Sequence, residues 1–238
     1  MIFAVLPLLL SMTSAEAIAT LLNSSSATGP RTFAEAKGQV EREAEEGKPL
    51  QQFVIGVTTD DKPLAKRYLD ASREKIRIMA EKKNNPLAWY LLSMESNDLK
   101  MLRKAADGGN VQALNALGTI ATTEAFKRGK TPHELDTILT KSYDYFSKAA
   151  AQRDPNGFIN LGTCYLRGFG CNQDMAMAFE CFRSAAELGH PEGMDNMAGC
   201  YQFGHGVEKN TERSLYWTMR GRAARGDEAA VKWLRERK

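Results

Sequence analysis

The side chains in this sequence that could do chemistry are few, and they do not converge on a catalytic pattern. His133, His190 and His205 fall in predicted loops or at helix starts, and none has a cysteine or serine at catalytic spacing or a visible acidic partner. The adjacent carboxylates Asp60 and Asp61 suit the cap of a helix better than an acid–base pair. We therefore predict no catalytic residues and no enzymatic activity.

Motifs for metals and cofactors are not found either. The cysteines do not form a CxxC pair, and the histidines do not form an HxxxH pair, which are spacings of zinc sites. The segments GFGCNQ and GHGVEK lack the preceding strand and the terminal Lys-Ser/Thr of a phosphate-binding loop. We predict no bound metal and no cofactor.

The composition of the chain predicts no nucleic-acid partner. The formal net charge of the 238-residue chain is +3, and no run of Lys and Arg is interleaved with aromatic residues as a phosphate backbone requires. We expect the partner to be a protein or a peptide.

A repeat organises the C-terminal part of the chain. Residues 158–226 match themselves at a shift of 36 residues, which places Asn160 on Asn196, Tyr165 on Tyr201, Gly168 on Gly204 and Gly170 on Gly206. A period between 20 and 50 residues is typical of stacked supersecondary units. The shift from Leu117 to Leu161 is 44, and we expect the eight extra residues to lengthen a loop within 121–136.

Apolar residues at helical spacing predict helices along the whole chain after residue 32. Glycine, proline and asparagine mark their boundaries, with a first helix over 33–46, a short one ending at Gly56, and another over 132–151. No stretch alternates convincingly with period two, so we expect essentially no sheet. The pattern predicts antiparallel helix pairs.

Small residues recur on one face of the first helix of each pair. Gly157, Leu161, Gly162 and Tyr165 share a face, because residues three and four apart are neighbours on a helix. A glycine inside a helix costs about 1 kcal/mol relative to alanine. Another interaction must therefore offset the free-energy cost of Gly162. Close approach of a partner helix would supply it.

The segment LGTCYLRGFGCNQDMAMAFECFRSAAELGH and its copy resemble the Sel1-like repeats, which are relatives of the tetratricopeptide repeat. The matching residues are Leu161, Gly162, Tyr165, Gly168, Gly170, Ala178, Phe182, Ala185, Ala186 and Gly189, and in the copy Gly206, Val207, Trp217 and Gly226. Cys171 and Cys181 depart from the pattern, where the family has valine and tryptophan.

This resemblance implies an all-α fold and a function. The fold would be a right-handed α/α superhelical solenoid of about five antiparallel helix pairs with a C-terminal capping helix. The function would be that of a non-enzymatic adaptor for protein assembly, and in bacteria many such proteins are exported and take part in envelope or host interactions.

Four cysteines leave their oxidation state open. An even number in an exported chain is typical of disulfides. Cys164 and Cys200 stand one repeat apart on helices about 8–10 Å apart, which is too far for Cα atoms that a disulfide holds about 5.5 Å apart. Cys171 could pair with Cys164 or Cys181, so these three are the candidate disulfide residues, and buried free thiols are the alternative.

The N-terminus has the layout of a secretory signal peptide. Roughly ten apolar residues precede Ala15-Glu16-Ala17, although no Lys or Arg stands before them. We expect residues 1–17 to be the signal peptide, 18–31 a flexible lead-in, 32–109 divergent helix pairs, and 110–238 the repeats with the cap. The mature chain would then have no transmembrane segment and be periplasmic or secreted. It would be cytoplasmic if residues 1–17 are not a signal peptide.

The first helices of a curved solenoid line its concave side. The residues there that the core does not need are Asn115, Asn156, Asn160, Arg167, Asn196 and Gln202. Asn160 and Asn196 are one repeat apart, and we expect their amides to form a ladder that holds a peptide backbone. The alternative is that these positions are merely solvated.

The sequence thus favours a scaffold that binds a protein or peptide on this face. A second hypothesis is a cell-envelope binder or hydrolase of small ligands such as peptidoglycan fragments, with its pocket within residues 33–109. A third is an assembly module that self-associates through an uncapped end.

Overall fold

The computed structural model describes residues 41–58, 61–127 and 129–237. All regular structure in these residues is helical and none of it is strand, which confirms the predicted all-α fold. The predicted signal peptide and lead-in lie outside the described residues, and the helix predicted over 33–46 is described only from residue 41. No helix in the described part of the chain is long and apolar enough to cross a membrane.

The structure divides into two compact units, with the boundary between Ala113 and Leu114. The first unit contains α1 (Pro49–Thr58), α2 (Lys62–Lys83), α3 (Pro86–Ser96) and α4 (Leu99–Asp107). Helix α1 packs against α2, and α3 packs against α4. The side chains of Asp61, Asn85 and Asp98 accept hydrogen bonds from the first turns of α2, α3 and α4, as N-caps do.

The prediction that Gly56 ends α1 is wrong, because this glycine lies inside the helix and packs against α2. The helix continues to Thr58, and a Cβ added to Gly56 would lie 2.7 Å from Cγ of Leu69 on α2. The glycine allows α1 and α2 to approach closely, so its position reflects a contact between helices and not a helix end.

The second unit contains three helix pairs and a final helix. Its elements are α5 (Val111–Ala125, which begins in the last residues of the first unit), α6 (Pro132–Ala151), α7 (Pro155–Arg167), α8 (Met175–Glu187), α9 (Pro191–Phe203), α10 (Thr211–Ala224) and α11 (Glu228–Arg235). From α6 on, each helix packs against the next one along the chain. We call α5, α7 and α9 the first helices and α6, α8 and α10 the second helices. This is the arrangement of an α-helical solenoid.

The eight extra residues of the first of these pairs lie in helices, so the prediction of a longer loop is wrong. Helices α5 and α6 have 15 and 20 residues, whereas α7 and α8 have 13 each. The connecting segment 126–131 is no longer than its counterpart 168–174. Thr131 and Glu134 form a capping box that fixes the start of α6 at Pro132, so the residues after it extend the helix.

Glycines and alanines set the spacing between successive pairs. A Cβ added to Gly157 would lie 2.6 Å from the backbone nitrogen of Ala150, and one added to Gly193 would lie 2.7 Å from that of Ala186. The close approach predicted at Gly162 is found inside a pair, where an added Cβ would lie 2.7 Å from the Phe182 ring and 3.1 Å from Cβ of Cys181. Within pairs, Gly118 and Gly162 face the rings of Phe146 and Phe182.

The loops after α7 and α9 dock on the preceding second helix. Gly170 and Gly206 have φ of +69° and +70°, and a Cβ on either would clash with the carbonyl of Leu139 or Met175. Only glycine meets both requirements, the positive φ and the contact. Each loop is thereby held against the α6 or α8 backbone.

Two glycine substitutions on the first helices α7 and α9 should have opposite effects on stability. Gly162→Ala places a Cβ 2.7 Å from the buried Phe182 ring and 3.1 Å from Cβ of Cys181, and we expect it to lower the free energy of unfolding by about 1–3 kcal/mol. Gly199→Ala, with nothing within 4 Å of the added atom, should raise it by about 1 kcal/mol through helix propensity. Urea unfolding followed by circular dichroism measures both, and equal effects of the two variants would contradict the packing role of Gly162.

Candidate partner-binding face

The six residues predicted for the binding face all lie on first helices of the second unit. Arg167 and Gln202 are exposed, at the C-terminal ends of α7 and α9. The four asparagines are half-buried, and they are Asn115 on α5, Asn156 and Asn160 on α7, and Asn196 on α9.

Asn115 and Asn160 belong to one hydrogen-bonded network. Asn115 Nδ2 donates to Asp154 Oδ2 at 2.7 Å, and Asn160 Nδ2 donates to Asn115 Oδ1 at 3.4 Å. Asp154 is the N-cap of α7, and its Oδ2 also accepts from the backbone N–H of Gly157 at 2.7 Å. The network therefore ties α5 to the start of α7, and Asn115 has a structural role in addition to its predicted one.

The amide of Asn196 makes no hydrogen bond to another described residue. The same holds for the side chains of Asn156 and Gln202, so their polar groups remain open to water or to a partner. The ladder of Asn160 and Asn196 stays a prediction, with one N–H of Asn160 already bound to Asn115.

A cleft of about 160 Å³ opens between α5 and α7, and we call it the threonine cleft. It is lined by Thr119, Thr122, Thr123, Phe146, Asn160, Thr163, Cys164 and Phe169. Helix α5 supplies three threonines, α7 supplies Asn160, Thr163 and Cys164, and the phenyl rings come from α6 and from the loop after α7. Asn160 is thus the one predicted face residue that lines this cleft.

Sequence reasoning missed the threonines. Thr119, Thr122 and Thr123 stand at positions i, i+3 and i+4, which places them on one face of α5. That spacing was visible in the sequence, but a polar face on an amphipathic helix is ordinarily just solvated. The threonines line a cleft only because α7 lies beside this face of α5.

Aromatic side chains cluster at the C-terminal ends of the first helices, where the loops begin. The rings of Phe126 and Phe169 lie 5.2 Å apart, and Phe126 is 57% exposed. The guanidinium of Arg167 lies 6.0 Å from the centre of the Phe169 ring. One repeat on, the exposed Phe203 stacks on His205 at 5.7 Å. This edge combines apolar area with an exposed cation, as protein-binding surfaces often do.

The tyrosines of the repeat fill the space between successive pairs. Tyr165 packs edge-on against Tyr143 with their hydroxyl oxygens 3.0 Å apart, and Tyr201 packs edge-on against Phe179. The Tyr201 hydroxyl accepts a bond from Arg213 at 3.4 Å. The hydrogen bond with Tyr143, together with burial, raises the pKa of Tyr165.

The three candidate disulfide cysteines lie together around one core cluster, and all are free thiols in the structure. Cys164 and Cys181 are buried in that cluster, Cys171 is half-buried against it, and Cys200 belongs to the neighbouring cluster. Burial raises the pKa of Cys164 to about 12 and those of Cys181 and Cys200 to about 11. The pairing of Cys171 with Cys164 or Cys181 remains a prediction.

The histidines do not contribute to the threonine cleft. His190 is the N-cap of α9 but makes no side-chain cap bond, and its buried Nδ1 has no partner among the described residues. Asp, Asn and Thr cap the other helices of the second unit whose caps are described, so His190 marks the weakest of these starts. Within the described part of the chain, no three His, Cys, Asp or Glu side chains are arranged to hold a metal ion.

Comparison with known proteins identifies the repeat. The sequence model of the Sel1 repeat matches residues 111–154, 159–190 and 191–218. These three segments are therefore similar to Sel1 repeats. They correspond to the pairs α5–α6, α7–α8 and α9–α10, so the threonine cleft lies between the first helices of the first two matched segments.

Two solved structures are similar to this chain. A Sel1 repeat protein from Oxalobacter formigenes is 26% identical over 53% of this chain and 90% of its own, with a TM-score of 0.45. A protective antigen from uropathogenic Escherichia coli strains, which displays an SLR fold, is 20% identical over 83% of this chain and 52% of its own, with a TM-score of 0.38. No curated protein matches the sequence.

The thiols of the reduced protein should react in a fixed order. The thiolate is the reactive form, and burial disfavours it most for Cys164, Cys181 and Cys200. At pH 8 we expect Ellman's reagent to modify Cys171 first and the other three only as the protein unfolds. Peptide mapping of the first modified site checks this, and early modification of Cys164 would show that the threonine cleft admits the reagent. The mass of the protein purified without reductant shows separately whether a disulfide forms.

Proposed function

We propose that this chain is a non-enzymatic scaffold that binds a protein or peptide partner on the first-helix face of its second unit. The observation that carries the proposal is the threonine cleft, which the first two segments similar to Sel1 repeats form between α5 and α7. Sel1 repeat proteins are generally protein-interaction scaffolds. A cleft with two phenyl rings and several polar side chains has the mixed composition of sites that hold part of a peptide.

The surroundings of the cleft extend the surface available to a partner. The exposed Phe126 and Arg167 and the half-buried Phe169 lie at one end, and the open amides of Asn156 and Asn196 lie on the same set of helices. Aromatic and arginine side chains are enriched among residues that carry binding energy at protein interfaces. The predicted face and the cleft together form the candidate interface.

A pair of threonine-to-tryptophan substitutions tests the face. Thr123 and Thr137 are both exposed, and each hydroxyl donates to the carbonyl four residues earlier, but only Thr123 lines the cleft. We expect Thr123→Trp to block the cleft and reduce partner capture by at least about tenfold, as the loss of a central contact does. Thr137→Trp, on the second helix α6, should capture the partner like the unaltered chain.

The measurement is quantitative affinity capture from the native extract, with the three chains compared by mass spectrometry. Equal helical circular dichroism of the two variants shows that the fold is retained. A partner captured equally by Thr123→Trp and the unaltered chain would place the interface elsewhere and overturn the proposal.

We also propose that the chain is exported with cleavage after Ala17. The support is the apolar run followed by Ala15-Glu16-Ala17 at the N-terminus. Expression with residues 1–17 in a Gram-negative host should yield a protein outside the cytoplasm whose mass begins at Ile18. Full-length protein in the cytoplasmic fraction would contradict export.

A further inference from the structure

Two hydroxyl groups of the threonine cleft have already used their protons in bonds to their own helices. Thr123 Oγ1 donates to the Thr119 carbonyl, and Thr163 Oγ1 donates to the Ile159 carbonyl, both at 2.9 Å. A hydroxyl has one proton and two lone pairs. These two oxygens can therefore offer a ligand only hydrogen-bond acceptors.

Thr122 is constrained in the same way. Its hydroxyl lies 2.6 Å from that of the buried Ser142, and both lie within hydrogen-bond distance of the Gly118 carbonyl, at 3.0 and 2.9 Å. The two protons of this pair satisfy the carbonyl and the bond between the hydroxyls. Thr122, too, offers an acceptor to the cleft.

Asn160 and Thr119 complete the polar wall. Asn160 Oδ1 has no partner among the described residues, while one Nδ2 proton is bound to Asn115. The Thr119 hydroxyl has no partner in the described part of the chain and can either donate or accept. Acceptors in the cleft thus outnumber donors, and a complementary ligand must bring N–H or O–H groups.

Charge limits the ligand further. No ionised side chain of the described residues lines the cleft, and the cation of Arg167 stands beside Phe169 at its rim. The carboxylate of Glu124, next to Thr123, is paired with Lys127 and Lys130. A cationic ligand would be repelled by Arg167, and an anionic one would face acceptor oxygens that cannot replace its lost hydration. A neutral ligand that donates hydrogen bonds avoids both the repulsion by Arg167 and the uncompensated loss of hydration.

We propose that the threonine cleft binds a neutral, extended segment of the partner, which donates backbone N–H groups to the threonine oxygens and to Asn160 Oδ1. An uncharged apolar side chain of that segment packs against Phe146 and Phe169. The volume of about 160 Å³ suits this, since an engineered apolar cavity of about 150 Å³ holds benzene. This inference rests on the proposed function and specifies the chemistry of the partner.

The test uses the full chain with ¹³C-labelled threonine methyl groups, titrated with blocked peptides and followed by NMR. The probes are acetyl-Gly-Leu-Gly-amide, the same peptide with Lys or Glu in place of Leu, and a depsipeptide in which an ester replaces the leucine N–H. We expect the leucine peptide to shift the methyl signals of Thr119, Thr122, Thr123 and Thr163 and to leave those of Thr137 and Thr218 unchanged. The other three probes should bind at least about tenfold more weakly.

A conservative variant separates the hydrogen bond from the shape of the cleft. Thr163→Val keeps the branched side chain but removes one acceptor, and it should weaken the leucine peptide about 3- to 10-fold, as the loss of one neutral hydrogen bond does. Thr137→Val, outside the cleft, should leave the affinity unchanged.

Equal binding of the lysine, glutamate or ester probe would overturn the proposal, and so would the absence of methyl shifts with the leucine peptide at saturating concentration. Either result, combined with loss of partner capture by Thr123→Trp, would leave the proposed function standing with a different ligand. Unimpaired capture by Thr123→Trp would instead overturn the function itself, whatever the peptides do.

Discussion

The second unit depends on the contact between a glycine of one first helix and the backbone of the second helix before it. At Gly157 and Gly193 the preceding helix occupies the space that a Cβ would need. This contact sets how closely α7 follows α6 and how closely α9 follows α8. With that spacing fixed, Asp154 at the start of α7 comes within 2.7 Å of Asn115 on α5, and the side chains of α5 and α7 face each other across the cleft. A larger residue at the contact would move every later helix.

The same contact recurs at the next repeat, yet the threonine cleft belongs to the first junction because the lining residues differ. The repeat shift places Leu166 and Arg167 at the positions equivalent to Thr122 and Thr123, and Gly199 at the position equivalent to Thr163. Between α7 and α9 the corresponding wall would therefore carry an aliphatic side chain, a guanidinium and a glycine in place of three of the four hydroxyls. The glycine contacts recur in each repeat, whereas the residues that line the junction between two repeats vary and set its chemistry. A ligand preference is thus a property of one junction.

The sequence predicts what is local and what repeats. The helix over 132–151 and the close approach at Gly162 follow from residue types and from their spacing. The polar residues of the eight-residue insertion predict a loop, whereas in the structure they lengthen α5 and α6, and a capping box at Thr131 fixes the start of α6. The Asn115–Asp154 bond joins residues 39 apart, and the threonine cleft needs the separation of two helices. Neither could be read from one sequence, because helix spacing decides both.

The residues on the outer side of α10 argue against that side as a binding surface. Phe179, Phe182 and Ala186 on α8 are buried by the following repeat, and 36 residues later their positions are held by Leu215, Thr218 and Arg222 on α10. Leu215 is 40% exposed where Phe179 is 8% exposed, and Arg222 pairs with Asp227. This side of α10 thus carries a hydroxyl and a paired arginine where α8 carries buried apolar residues. Self-association through it would have to bury that ion pair, which is costly. The first-helix face, by contrast, presents exposed aromatic rings and amides without a protein partner, and a binding partner can contact both.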